Sequence, residues 1–314
     1  MTRPLLSICI PTYNRAEYLA KSIESIICQE EFKTKQVEIV ISDNASTDNT
    51  EYVAKDYANK YENIYYYRNA ENISNDNFPL VLSKGNGILR RLCNDTLCFE
   101  TGSLHYICEI IKKYEKTKPF ICWHGIKEHP EIEELDFKEG IKKISYWVTS
   151  IACFSIWENE CIGIEKDTFG ADLKLWQVRK MLELSCLKNK VVIINKKLTV
   201  TQMVQSKNIS YGLYQVFYEN YFILLDPYFA NGKLTKEDKE FLEKDLLFNF
   251  FTDWCVQWKL QNTTLQYSKT EDLCECIYQQ YHNKPYWNEY TKEFNRIYWK
   301  LKVKGTIKKI LGRG

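Results

Sequence analysis

The chain has 314 residues, 45% of them hydrophobic and 14% aromatic, enough to bury one sizeable core and a smaller appended one; this composition excludes a disordered scaffold. A formal charge of +2 and a pI near 7.8 supply no global basic field, which argues against nucleic acid as a partner. The twelve cysteines are scattered, none in a C-x-x-C pair, and several lie in apolar runs (Cys9, Cys153, Cys255), so they read as reduced core thiols of a cytoplasmic protein. Cys122, His124 and His129 are the nearest approach to a zinc cluster but lack a fourth ligand and paired spacing. A strand-like run begins close to Met1, which leaves no room for a signal peptide, and no apolar run nears the roughly 18 residues that span a bilayer.

In chain order, "LLSICI" (Leu5 to Ile10), ended by Pro11, predicts a buried parallel strand. Asn14, with Glu17 three residues on, predicts a capped helix whose Leu19, Ile23, Ile26 and Ile27 share one face. "VEIVIS" (Val37 to Ser42) is a second strand, followed by a helix capped by Thr47 or Asp48 with Val53, Tyr57 and Tyr61 inward; "IYYYR" (Ile64 to Arg68) is a third. Strands are expected at "GILRRLC" (Gly87 to Cys93), "FICW" (Phe120 to Trp123), "IACFSIW" (Ile151 to Trp157) and "VVIIN" (Val191 to Asn195), with a helix from Asp172 to Leu187. The alternation implies an α/β fold with a mostly parallel sheet flanked by helices, and a ligand site at the carboxyl ends of its strands. From about residue 212 the pattern turns helical and aromatic, giving two expected domains, 1–212 and 213–314. The second ends in "NRIYWKLKVKGTIKKILGRG", a basic amphipathic tail that suits either an anionic membrane surface or a solvated terminal helix.

No G-x-G-x-x-G follows the first strand and no P-loop occurs, so a nucleotide would be held otherwise. What the chain carries, in order, is "SICIPTYNR", "EIVISDNASTDNT", "NISNDNF" and "SKGNGILRRLCNDTLCFETGSL". This series resembles the family 2 glycosyltransferases of the GT-A fold, over most of residues 5 to 110, and within them is similar to bacterial O-antigen enzymes of the abequosyltransferase type. The resemblance implies transfer of a sugar from a nucleotide-sugar donor to a glycan or lipid-linked glycan acceptor, with inversion. It sets Pro11, Thr12, Asn14, Arg15, Asp43, Asn72 and Lys84 at the nucleotide, and Asn77, Arg90, Asn94 and Thr96 at the donor sugar and diphosphate. Asp43 would accept a hydrogen bond from the base; for Asp48 the capping reading is preferred.

The family grips a divalent cation with a run of aspartates, where this chain has "LCNDTL". Only Asp95 remains to hold Mg²⁺ or Mn²⁺, with phosphates and water supplying the other ligands. Arg90, Arg91 and Lys84 are candidates to pair with phosphate in place of the lost charge. "FGADLKLWQVRKML" offers Asp172 as general base or as N-cap of its helix, with Asp167, Glu165 and Glu158 in reserve; the abequosyl-type enzymes carry a His where this chain has Gln177. Of Trp147, Trp157 and Trp176, at most one is expected to stack on a sugar. The alternatives are a catalytically silent member that binds donor or glycan as a scaffold, motivated by the eroded acidic run, and a sugar nucleotidyltransferase. The expected location is the cytoplasm, with peripheral contact at the inner face of the membrane through the tail.

Overall fold

The computed structural model describes residues 3–125, 130–204, 207–208, 211–260, 265–266 and 271–310, with side chains described as far as 304. It divides into two compact units, Met1–Val204 and Gln205–Gly314.

The first unit is built on a five-stranded sheet. β1 (Leu6–Thr12) leads into helix α1 (Ala16–Ile27) and a short turn of helix, α2 (Glu30–Lys33); β2 (Val37–Asp43), α3 (Thr50–Lys60) and β3 (Ile64–Arg68) follow. α4 (Asn77–Ser83) then returns the chain to β4 (Leu89–Leu92), and β5 (Leu97–Phe99) precedes α5 (Ser103–Tyr114). The strand order is β3-β2-β1-β4-β8, parallel from β3 to β4, with β8 (Ser155–Trp157) antiparallel at the edge. Every residue of β2 is buried, because helices cover both faces of the sheet. Ile8, Ile10, Ile39 and Ile41 have no exposure, each contributing about 1.5–3 kcal/mol by burial.

A second sheet of three strands, β6 (Phe120–Cys122), β9 (Val191–Ile194) and β7 (Ile132–Leu135), has β6 parallel and β7 antiparallel to the central β9. α6 (Phe137–Ile144) and α7 (Trp176–Lys188) belong to this half, and β10 (Thr199–Thr201) pairs with β5.

Several boundaries differ from the sequence reading. β1 runs on through Pro11, opposite Ser42, to Thr12. α3 turns Thr50 and the small Ala54 to the sheet, leaving Val53 and Tyr57 half-buried. "IACFSIW" is a strand only from Ser155, after a turn of 3₁₀ helix at Ile151–Cys153. α7 starts at Trp176 rather than Asp172, because Lys174 (φ 59°) takes a left-handed conformation that a helix cannot continue through. β7 was not foreseen; its half-buried, acidic sequence hides the period of a strand.

The second unit is helical: α8 (Tyr221–Ala230), α9 (Lys236–Asp245), α10 (Thr252–Lys259), α11 (Leu273–Tyr281) and α12 (Trp287–Ile310), with two-residue strands at Lys207–Asn208 and Leu265–Gln266. Thr235 and Asp238 form a reciprocal capping box at the start of α9, and Asp272 caps α11 through the Cys274 and Glu275 amides. The buried Glu243 accepts from Tyr218 Oη and pairs with Lys284 Nζ, so its charge is compensated inside the bundle. Among the described residues no helix is long and apolar enough to cross a membrane. Along α12, Trp299, Leu301 and Val303 are exposed beside Lys300, Lys302 and Lys304; the tail's later residues Lys308, Lys309 and Arg313 have no described side chains.

Candidate functional site

β1 has β2 on one side and β4 on the other, so the connections after β1 and β4 leave in opposite directions and open a crevice at the carboxyl edge of the sheet. Thr12 ends β1 and Asp95 follows β4. Their side chains meet there, Thr12 Oγ1 donating to Asp95 Oδ2 at 2.8 Å. Burial pushes the Asp95 carboxyl up to about 6; the Thr12 hydrogen bond and the charge of Arg15 pull the other way, and Asp48 adds to the rise. Asp95 is therefore a carboxylate short of compensating positive charge.

The two loops beside it are laced together. Asn14 takes a left-handed conformation (φ 52°), which its short polar side chain tolerates. Its Oδ1 accepts from Thr47 N at 2.7 Å and Asp48 N at 3.4 Å, and its own amide donates to Ser46 Oγ at 2.9 Å. The expected Asn14 cap on α1 is thus replaced by a crosslink between loops; the N-cap position falls to Arg15, which makes no side-chain capping bond. Asp48 accepts from Ala16 N at 3.3 Å through Oδ2 and from Thr50 N at 2.9 Å through Oδ1. Burial works to raise its carboxyl, but the Thr50 and Ala16 hydrogen bonds outweigh it and hold Asp48 below its usual value.

Asp43, expected at the base, has no exposure. Its Oδ1 accepts from Ser46 N at 2.8 Å and its Oδ2 from Tyr66 Oη at 2.8 Å and Arg68 Nη1 at 3.0 Å. In this arrangement it anchors the loop rather than facing solvent. Asn77, expected at the donor sugar, is likewise 2% exposed, with Ser42 and Asn69 on its amide. Asn72 receives Asn44 Nδ2 at 2.7 Å and Ser74 N at 2.9 Å. These three residues build the wall behind the crevice.

Two expected residues, Arg90 and Glu158, lie at the opposite edge, and the backbone of a third, Lys84, leaves from it. α4 carries the chain back to where the strands begin, and Arg90 Nη1 donates to Leu82 O at 2.7 Å and Ser83 O at 3.3 Å, capping the carboxyl end of that helix. Lys84 follows α4, lying 5.5 Å over the Tyr67 ring, just before Gly85 and Gly87 close on Ser7. Arg90 is therefore turned away from Thr12 and Asp95, while the Lys84 amine reaches toward Tyr67, which pairs with Ser42 in the carboxyl half of β3. Because β8 is antiparallel, Glu158 emerges beside Ile88 at the same amino edge, paired with Lys118 at 2.5 Å, and is no candidate base for chemistry at Asp95.

On the carboxyl side, a cavity of about 190 Å³ opens at Asn94, the residue before Asp95, and is walled by Arg91, Trp123, His124, Trp147 and Lys196 among others. Thr96 adjoins it in sequence, its carbonyl accepting from Gln202 N at 2.8 Å. Trp147 is the one flagged tryptophan that borders this cavity; Trp157 and Trp176 are core, their indole nitrogens donating to Pro119 O and Asp167 O. His124 Nδ1 lies 3.1 Å from Asn195 Oδ1. Asn195 Nδ2 donates to Pro130 O and Glu133 Oε1, so Asn195 Oδ1 is left to accept and His124 carries its proton on Nδ1. Sequence reasoning weighed His124 only as part of a zinc cluster. Among the described residues no group of three or more His, Cys, Asp or Glu is placed to hold a metal, and His129 lies outside them. The usable signal was positional: Trp123 and His124 immediately follow a strand, where a parallel sheet presents its site residues.

Asp172 is exposed in the turn before α7, so the N-cap role expected of it falls away; Leu175 occupies that position. For Asp167, burial works to raise the carboxyl, but Arg179 and Lys180 outweigh it and hold it below the ordinary range. Glu165 is exposed in the 3₁₀ turn beside it.

Residues 7–75 match the family model described as glycosyl transferase family 2. Over 85 residues, 26% of the chain, the sequence is 49% identical to abequosyltransferase RfbV of Salmonella typhimurium, and that match spans only 25% of the relative's length. It is 24% identical over 256 residues to a GalNAc(5)-diNAcBac-PP-undecaprenol beta-1,3-glucosyltransferase of Campylobacter jejuni, covering 76% of this chain and 78% of that protein. Among solved structures, the mannosyltransferase PcManGT of Pyrobaculum calidifontis in complex with GDP-Man and Mn²⁺ has the same fold, with a TM-score of 0.54 at 11% identity, covering 100% of this chain and 89% of that one.

Proposed function

Because residues 7–75 belong to a family 2 glycosyltransferase domain on a GT-A fold, we propose that the protein moves a sugar from a nucleotide-sugar donor to a hydroxyl of a growing surface glycan, with inversion and with the help of Mg²⁺ or Mn²⁺. The observation that carries this reading is the meeting of Thr12 and Asp95 at the switch point of the sheet, 2.8 Å apart, beside the laced loops that begin at Asn14 and Asn44.

In this reading the nucleoside lies along Pro11 to Arg15, with Asp43 and Asn72 fixing the loop beneath it and Arg15 offering its charge to the diphosphate. The donor set at Asp95 fits a hard divalent cation as a single protein oxygen ligand, partly exposed and short of positive charge, with phosphate and water oxygens completing the shell. Bound there, the cation would neutralise charge on the departing diphosphate as a Lewis acid. Thr12 orients the carboxylate that would hold it. Asn94 and Thr96 flank Asp95 toward the donor sugar, and the cavity beginning at Asn94 takes the sugar ring against Trp147. Asp172, exposed in its turn, is the proposed base for the acceptor hydroxyl.

A lipid-linked acceptor is supported by the name of the Campylobacter relative and by the exposed Trp299, Leu301 and Val303 among lysines on α12. Each basic group near an anionic bilayer contributes about 1 kcal/mol, so the tail would hold the enzyme at the cytoplasmic face of the membrane.

The test is a panel of UDP-, GDP-, CDP- and dTDP-sugars, with and without Mn²⁺, read by nucleotide release on the wild type and on Asp95→Ala. Metal-stimulated release from one donor, lost in the variant, supports the reading and names the donor. The lone carboxylate of the eroded motif motivates a second reading, a silent binding member; nucleotide binding indifferent to metal and to Asp95, without turnover on any glycan acceptor, would favour it. Pyrophosphate release from a nucleoside triphosphate would instead indicate a nucleotidyltransferase.

A further inference from the structure

The cavity beside Asn94 has an unusual charge balance. Arg91 lines it and is 3% exposed, yet no carboxylate pairs with it among the described residues. Its Nε and Nη2 both donate to Ala152 O, at 3.3 and 3.2 Å, and its guanidinium lies 4.9 Å from the Trp123 ring centroid and 5.7 Å from that of Phe99. Nη1 is buried with no hydrogen-bond partner among the described residues. A buried guanidinium held by one carbonyl and two rings, with no carboxylate beside it, is short of negative charge, and the cavity it lines is the side from which an anion would reach it. The other charged group on the described wall is also a cation, Lys196, which leans on the Tyr106 ring and pairs outside the cavity with Glu131. Ser150, Thr199 and Thr201 add hydroxyls, and no Asp or Glu lines the cavity among the described residues.

We propose that this cavity is a subsite for a sugar bearing an anionic substituent, a carboxylate or a phosphate, which the Arg91 guanidinium receives while Trp147 borders the ring. The inference rests on the glycosyltransferase reading and extends it, since that reading leaves the sugar unnamed. A planar carboxylate suits the guanidinium fork, which presents its N–H groups in fixed geometry. Asn94, the residue before Asp95, lines the same cavity as Arg91, so a sugar seated there lies next to the position proposed for the diphosphate.

The experiment uses the full chain and three monosaccharide probes, glucose, glucuronate and glucose 6-phosphate, with inorganic phosphate as a competitor, titrated by ligand-observed NMR. Glucuronate or glucose 6-phosphate is expected to bind at least tenfold more tightly than glucose. That preference should disappear in Arg91→Met and survive in part in Arg91→Lys. Equal binding of the three sugars, or a preference that persists in Arg91→Met, overturns the proposal. Inorganic phosphate displacing glucose 6-phosphate at equal concentration would also overturn it, because the site would then be one for a bare anion such as the donor's own phosphate. Should Arg91→Met fail to fold, Lys196→Gln at the rim must lower the anionic preference at least threefold on its own, and its failure to do so counts against the subsite. Nucleotide binding in the presence of Mn²⁺, measured on the same samples, separates the two readings: its retention in Arg91→Met confines a negative result to the subsite, while its absence from the wild type speaks against the glycosyltransferase reading itself.

Discussion

The two edges of the main sheet use similar residues to opposite ends. Where the strands begin, Glu38 is 2% exposed and accepts from Ser7 Oγ at 2.6 Å and from the Asn86 amide and side chain, while Ser7 Oγ in turn receives Gly87 N at 2.7 Å. Arg90 closes the end of α4 there. Glu38 is met on both oxygens by fixed donors, as expected of a carboxylate that only has to hold the edge. Where the strands end, Asp95 has one hydroxyl on it and a carboxyl pushed up by burial, and Arg91 has a spare N–H. A carboxylate met on both oxygens at one edge, and one held by a single side-chain hydroxyl at the other, is the contrast expected between a place for packing and a place for a ligand.

The largest effect should come from the carboxyl edge. Asp95→Ala is expected to lower metal-stimulated nucleotide release by about a hundredfold or more. Its thermal midpoint without metal should stay level or rise, because a poorly compensated carboxylate leaves with the mutation. Glu38→Ala should do the reverse, costing about 2–4 kcal/mol in urea unfolding by stranding the Ser7 and Asn86 donors, with turnover per folded molecule preserved. If Glu38→Ala instead behaved like Asp95→Ala, the contrast between the edges would collapse.

Gly87→Ala sharpens the amino edge further. A Cβ there would come within 2.5 Å of Ser7 N, a backbone atom, so a loss of about 1–3 kcal/mol is expected in the same assay. Asn14→Ala should cost about 1 kcal/mol of stability by freeing the Thr47 and Asp48 amides, and should weaken nucleotide binding about tenfold by calorimetry as the laced loops part.

The smallest effect concerns Asp167, whose carboxyl is held low once Arg179 and Lys180 outweigh its burial. A lowered carboxyl contributes stability that is complete above its unfolded value near 4 and is lost as the pH falls through its folded value. Asp167→Asn should therefore be destabilised at neutral pH by up to about 1 kcal/mol, and converge with the wild type near pH 2. A constant gap in denaturant midpoint across that range would assign the effect to packing instead.

Part of the candidate crevice was legible locally. Thr12, Asn14 and Asp95 stand within a few residues of strands that their apolar runs announce, and the connection after a parallel strand falls at the carboxyl edge. Asp43 and Asn77 were expected to face a ligand and are buried instead, because burial depends on Tyr66, Arg68 and Asn69 arriving from another strand and the loop after it. Arg90 and Glu158 misled because sequence proximity to "LCNDTL" says nothing about which end of a strand a side chain occupies. Lys174 broke the helix expected from Asp172 with a left-handed conformation that periodicity cannot register.

The sequence by itself determined the alternation of strands and helices, the identity of the fold through four ordered motifs, and the presence of a single acid where a run was expected. Those are properties of local pattern, set by apolar period and turn chemistry. Only the tertiary structure decided that Thr12 and Asp95, 83 positions apart, share a hydrogen bond, that Arg91 is buried without a carboxylate partner among the described residues, and that Arg90 beside it serves the opposite edge. In a strand successive side chains point to opposite faces, so the two neighbouring arginines meet different covering layers, Arg90 the end of α4 and Arg91 the rings of Phe99 and Trp123.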